Sequence, residues 1–197
     1  MVDTKMTKSA GEHWVASVLS RHGWGAALTR DGLERTDILA VHTLPPRRTI
    51  EVQVKTANEV VGGVTSWPLG LKSQLPELSD REWFVMVLMP SSPTAIPRSF
   101  VVPRDHIAAA AWIEHMGWLT DPTAEPGKRN VGPDRSRVIV DTWARYENRW
   151  DLLLAPTTEC PVMLPEWMRE ASTLDRVVRN PDYEWVHPWR DNPPEWS

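Results

Sequence analysis

The segment TDILAVHTLPPRRTIEVQVKTA, residues 36–57, carries an acid, an amide and an ammonium that a single hairpin can bring together. With the turn centred between Pro45 and Pro46, the numbers of paired residues sum to about 91, which sets Asp37 beside Gln53 and Lys55. Strand alternation then places Glu51, Gln53 and Lys55 on one face and Ile50, Val52 and Val54 on the other. Polar groups of this kind are costly to bury without partners, so their gathering at one end of an otherwise apolar hairpin points to a site. The chemistry that suits them is phosphodiester hydrolysis. A hard divalent cation, Mg2+ with Mn2+ as the alternative, takes oxygen ligands and retains several waters. Such a cation polarises a phosphate and helps to generate hydroxide. Asp37 offers an anionic ligand, Gln53 a neutral carbonyl, and Lys55 a cation to orient water and offset charge in the transition state. Glu12, upstream on a helix, is a further acid, and Glu51 an accessory one.

The elements that must position these groups follow from pattern. Residues 9–22, SAGEHWVASVLSRH, read as an amphipathic helix that opens on a capping box, Ser9 with Glu12, and is ended by Gly23. Strand-like runs follow over 24–29, 36–42 and 49–56, separated by the turn-rich DGLER and TLPPRR. WFVMVLM, 83–89, is almost wholly apolar, as in a strand buried on both faces, and 99–102 suits a fifth strand. Pro103 stands where a helix opens, with Ile107, Ala110, Ala111 and Ile113 in helical rhythm after it. Beyond Gly117 the pattern weakens. A polar loop leads to VIVDTWARYENRWDLLL, read as a strand running into a helix, and to LPEWMREASTLDRVV, read as a terminal helix. The expected division is 1–117 as a core and 118–197 as an extension that packs on the core or in an oligomer interface.

Helix-borne Glu12, Asp37 opening a strand and Gln53-Val54-Lys55 on the next resemble the PD-(D/E)XK nuclease superfamily. The motif is most similar to that of group I intron-associated homing endonucleases, in which glutamine replaces the acid before lysine, and more distantly to that of archaeal Holliday-junction resolvases. The resemblance covers roughly residues 7–102. It implies an α/β fold with a restriction-endonuclease-like mixed sheet flanked by helices, continued by a Trp/Pro-rich, mainly helical extension. It also implies a divalent metal held by Asp37 and Gln53, Lys55 and Glu12 in catalysis, and cleavage of DNA. Gln53 is the departure, since it removes one negative charge from the metal site. A homo-oligomer is expected, because one such core cuts one strand.

Composition sets the bounds. A formal net charge of −4 over 197 residues argues against indiscriminate coating of nucleic acid and leaves room for a local basic rim, for which Arg47, Arg48 and Lys72 are candidates. The single cysteine, Cys160, excludes an internal disulfide framework and a cysteine metal cluster. The six histidines form no HxxxH or HExxH spacing, and no GxGxxG, Walker or GxSxG pattern is present. With no apolar run long enough for a membrane span and no secretory signal core, a cytoplasmic protein without a membrane partner is the expectation. Twelve tryptophans against two Phe and two Tyr make Trp the main source of aromatic volume, so several of Trp143, Trp150, Trp167, Trp185 and Trp189 should be buried. Two rivals share these features: a nuclease-like domain without catalysis that serves DNA binding or assembly, and an interaction or immunity-type protein that uses its Trp/Pro-rich tail.

Overall fold

The computed structural model describes residues 4–29 and 33–197, so that Asp31 and Gly32 of the expected DGLER turn lie outside the described residues. In chain order the elements begin with α1 (Thr4–Arg21), β1 (Trp24–Leu28), β2 (Ile38–His42) and β3 (Thr49–Asn58). A short β4 (Ser66–Pro68), β5 (Glu82–Met89), β6 (Arg98–Pro103) and α2 (Arg104–Leu119) follow. Last come β7 (Arg137–Ile139), α3 (Glu166–Ala171) and α4 (Asp175–Val178). They form two compact units. The first comprises Met1–Thr65, Leu78–Pro103 and Tyr146–Cys160, the second Ser66–Glu77, Arg104–Arg145 and Pro161–Ser197.

The first unit is built on a five-stranded mixed sheet of order β1-β2-β3-β5-β6, parallel between β3 and β5 and antiparallel elsewhere. In β3, Ile50, Val52 and Val54 are buried while Glu51, Gln53 and Lys55 are half-buried, the alternation expected of a strand with one apolar face. In β5, Glu82 through Leu88 are buried without alternation, as the apolar run predicted for a strand covered on both faces. Helix α1 lies along β3. Its buried stripe is Thr7, Gly11, Val15, Val18 and Leu19. Gly11 is where helix and strand come closest: a Cβ there would run into the Thr56 hydroxyl. One turn earlier, the Asn58 amide donates to the Thr7 hydroxyl at 3.3 Å.

These contacts extend the helix five residues beyond its expected start, from Ser9 back to Thr4. The capping-box reading of Ser9 and Glu12 is therefore incorrect. Both stand inside the helix, where the Ser9 carbonyl lies 2.8 Å from His13 Nδ1. Tertiary packing of Thr7 and Gly11 outweighs the local cap signal.

The second unit pairs β4 with β7 in an antiparallel ribbon. Helix α2 is buried nearly all round, with Ala108 and Ala109 as inaccessible as Ala110 and Ala111, rather than along one face. The indole of Trp112 donates to the Val177 carbonyl at 2.8 Å and stacks on Trp185. The run after β7 does not become an α-helix; Val140–Tyr146 is a 3-10 turn. The expected terminal helix is broken into α3 and α4. Between them, Ser172 and Thr173 turn their hydroxyls back onto the Arg169 and Glu170 carbonyls, each at 2.7 Å, which competes with helix continuation. The extension is thus a series of short turns rather than mainly helical. Trp143, Trp150 and Trp185 are buried as expected, Trp189 is half-buried and Trp167 is 46% exposed.

Candidate active site

Strand β2 stops pairing with β3 at the residue that matters. Ile38 lies opposite Val52 and Val41 opposite Thr49, one residue away from the expected register, so that a continued ladder would set Asp37 opposite Gln53. At Asp37 the backbone is still held on both sides. Its amide donates to the Val52 carbonyl and its carbonyl accepts from Thr29, both at 2.9 Å. The next rung of β3 is filled by a side chain: the Val54 amide donates to Asp37 Oδ2 at 2.8 Å. The carboxylate of Asp37 is thereby fixed to the strand that carries Gln53 and Lys55. One oxygen is anchored, and the other turns outward.

That outward oxygen meets α1. Lys8 Nζ stands 3.4 Å from Asp37 Oδ1 and 3.3 Å from Glu12 Oε1. Glu12 is one turn after Lys8 on the same flank of the helix, so a single ammonium joins the helix acid to the strand acid. Both carboxylates are largely covered, at 19% exposure for Glu12 and 17% for Asp37, while Lys8 is 57% exposed. Partial burial lowers the Lys8 pKa, but the two carboxylates more than offset this and hold it above the ordinary lysine value. Lys8 is the functional candidate that the sequence did not disclose. Its i,i+4 spacing to Glu12 was legible, but its bridge to Asp37 depends on how the helix lies on the sheet.

Gln53 and Lys55 extend from β3 on the face shared with Glu51 and aligned with Phe84 and Met86 of β5. The loop before Asp37 folds onto that face. Arg35, in the left-handed backbone region, donates from Nε and Nη2 to Glu82 Oε2 at 3.1 and 2.7 Å, and the other Glu82 oxygen accepts the Leu78 amide at 2.8 Å. Thr36 donates to Glu51 at 3.4 Å, and Arg81 stands 3.9 Å from the same side chain. Glu51 therefore serves to hold the loop, with its carboxylate directed to Thr36 and Arg81.

The proposed basic rim is divided. Arg47 and Arg48 sit at the tip of the β2–β3 hairpin, at the end away from Asp37, roughly 17 Å along a five-residue strand. Arg48 is drawn to Asp80, 3.4 Å from its carbonyl and 4.0 Å from its carboxylate. Lys72 belongs to the second unit, in a 3-10 turn whose Lys72 carbonyl accepts from Arg104 at 3.0 Å. Neither Arg47 nor Arg48 is brought to Asp37 by the elements of the first unit.

Among the described residues no group of three or more His, Cys, Asp or Glu side chains is placed to hold a metal ion. The donors beside Lys8 are the two carboxylates of Glu12 and Asp37. This set fits a hard divalent cation of the Mg2+ type, which binds through one or two carboxylates and keeps much of its water. The Lys8 ammonium marks where positive charge is favoured between the two acids. Thiol chemistry has no comparable setting: burial pushes Cys160 up to about 12, only partly offset by Arg149. No helix among the described residues is long and apolar enough to cross a membrane. No known family model, curated protein or solved structure matches the chain.

Proposed function

We propose that the chain is a Mg2+-dependent DNA endonuclease with a restriction-endonuclease-like core, as its resemblance to the PD-(D/E)XK superfamily implies. The observation that carries the reading is the Asp37 carboxylate, anchored through one oxygen to the Val54 amide in the middle of Gln53-Val54-Lys55. A backbone amide that fixes one carboxylate oxygen orients the other, the usual office of a partner behind a metal ligand. Asp37 Oδ1 and Glu12 Oε1 are the carboxylate ligands in this reading, and the Gln53 carbonyl is the neutral one that the resemblance implies. Glu12 restores the negative charge that Gln53 lacks. When bound, the cation polarises the scissile phosphate and lowers the pKa of a water. Lys55, on the Gln53 face, orients that water and offsets the charge that develops on phosphorus-bound oxygens. A pair of such cores in a homo-oligomer would cut both strands of a duplex, one core per strand.

The test is nicking of supercoiled and branched DNA with Mg2+ or Mn2+. Wild-type protein should cut, whereas Asp37→Asn and Lys55→Ala should lose at least about a hundredfold in rate, the scale of one electrostatic contact to a transition state. Cleavage that persists in both variants would remove the assignment.

One observation favours a second reading. Lys8 satisfies both acids without any metal, as it would in a nuclease-like scaffold that binds DNA or a protein partner and has no catalysis. Wild-type protein that binds DNA yet leaves it uncut with either metal selects that reading.

A further inference from the structure

Two carboxylates of opposite origin, one on a helix and one at a strand end, share a single ammonium that is itself more than half exposed. We propose that Lys8 is a resident counter-ion of the metal site, which a divalent cation must displace to bind between Glu12 and Asp37. The inference rests on the metal-dependent reading above and adds a regulatory residue to it.

The argument is one of charge and reach. Without a cation, Glu12 and Asp37 would repel across a gap no wider than the two Lys8 contacts of 3.3 and 3.4 Å together. Both acids are four-fifths covered, so water screens that repulsion poorly. Lys8 removes it. The same atoms hold Lys8 and would hold the metal: Asp37 Oδ1, the oxygen not anchored to Val54, and Glu12 Oε1. An ammonium and a divalent cation cannot both occupy the space between them. Lys8 can leave cheaply, because its side chain is exposed, its backbone is fixed in α1, and a four-carbon stem lets the charged end swing into solvent. Arg35, half-buried and held to Glu82 by two hydrogen bonds, could not do so. Displaced but tethered, the ammonium stays within reach of an anionic substrate on the cation.

Competition of this kind sets a threshold on metal concentration. Each exposed ion pair is worth little, and two of them together make Lys8 weaken metal binding by roughly three- to tenfold.

The experiment measures binding of Mn2+ and of Ca2+ by calorimetry, without DNA, to wild type, Lys8→Met and Lys8→Arg. Thermal melts with and without metal accompany it. Lys8→Met keeps the length and apolar stem and removes the charge. It should bind both ions about three- to tenfold more tightly, melt lower than wild type in chelator, and regain that loss when metal is added. Lys8→Arg should stay close to wild type. Lys8→Met binding metal no more tightly than wild type overturns the inference and leaves the metal site standing. Absence of metal binding in all three proteins overturns the metal-dependent reading itself, and the role of Lys8 with it.

Discussion

Asp37 uses its two carboxylate oxygens differently, and the difference separates folding from chemistry. Oδ2 completes the β3 edge by accepting the Val54 amide, while Oδ1 faces the Lys8 ammonium. Removing the side chain therefore takes away more than a charge. Val54 is buried, so Asp37→Ala leaves its amide without an acceptor and should cost about 1–3 kcal/mol. Asp37→Asn keeps an oxygen in place and should cost less than about 1 kcal/mol while discarding the charge. Chemical denaturation of the two variants checks the order, and equal losses would show that the amide contact carries no weight. Activity comparisons therefore belong to Asn rather than Ala.

At the scale of elements, the site was legible where strand periodicity governs and illegible where a helix must dock. The alternation of Ile50, Val52 and Val54 against Glu51, Gln53 and Lys55 follows from a period of two, and the hairpin register was off by one residue because the turn is not centred between the two prolines. The apolar run of β5 likewise declared its burial. Helix α1 did not declare its start. Ser9 and Glu12 mimic a cap, yet the helix runs back to Thr4 because Gly11 lets it approach Thr56 and Thr7 meets Asn58. That lengthening is what brings Lys8 into the helix and to Asp37. Periodicity cannot supply it, since the partners are separated by β1 and a loop. The short helices near the C-terminus failed for a local reason, the Ser172 and Thr173 hydroxyls that bond back to the chain.

For the whole molecule, two groups on α2, half-buried Glu114 and buried His106, give opposite responses to pH. Burial raises Glu114 to about 7, only partly offset by the Thr142 hydroxyl. Its native state favours the protonated acid, so stability is full below about 4.5 and declines as pH rises through about 7. Burial lowers His106 to about 3, with Asp105 opposing and His187 assisting. Its native state favours the neutral ring, so stability is full above about 6.5 and declines as pH falls toward about 3. Between about 4.5 and 6.5 the two slopes oppose each other. Glu114→Gln should remove the alkaline decline and gain on the order of 2 kcal/mol at pH 8 relative to wild type, with little gain at pH 4. Thermal melts of both proteins across this range are the check. A gain of the same size at both pH values would assign the effect to packing instead of ionisation.

The central claim, that one cation takes the place of Lys8 between Glu12 and Asp37, is tested most directly by anomalous diffraction from crystals equilibrated with saturating Mn2+. The account predicts a peak at roughly 2.1–2.4 Å from Asp37 Oδ1 and Glu12 Oε1, with the Lys8 ammonium moved off both carboxylates. Lys8 still bridging Glu12 and Asp37, with no anomalous peak at Asp37, would contradict it.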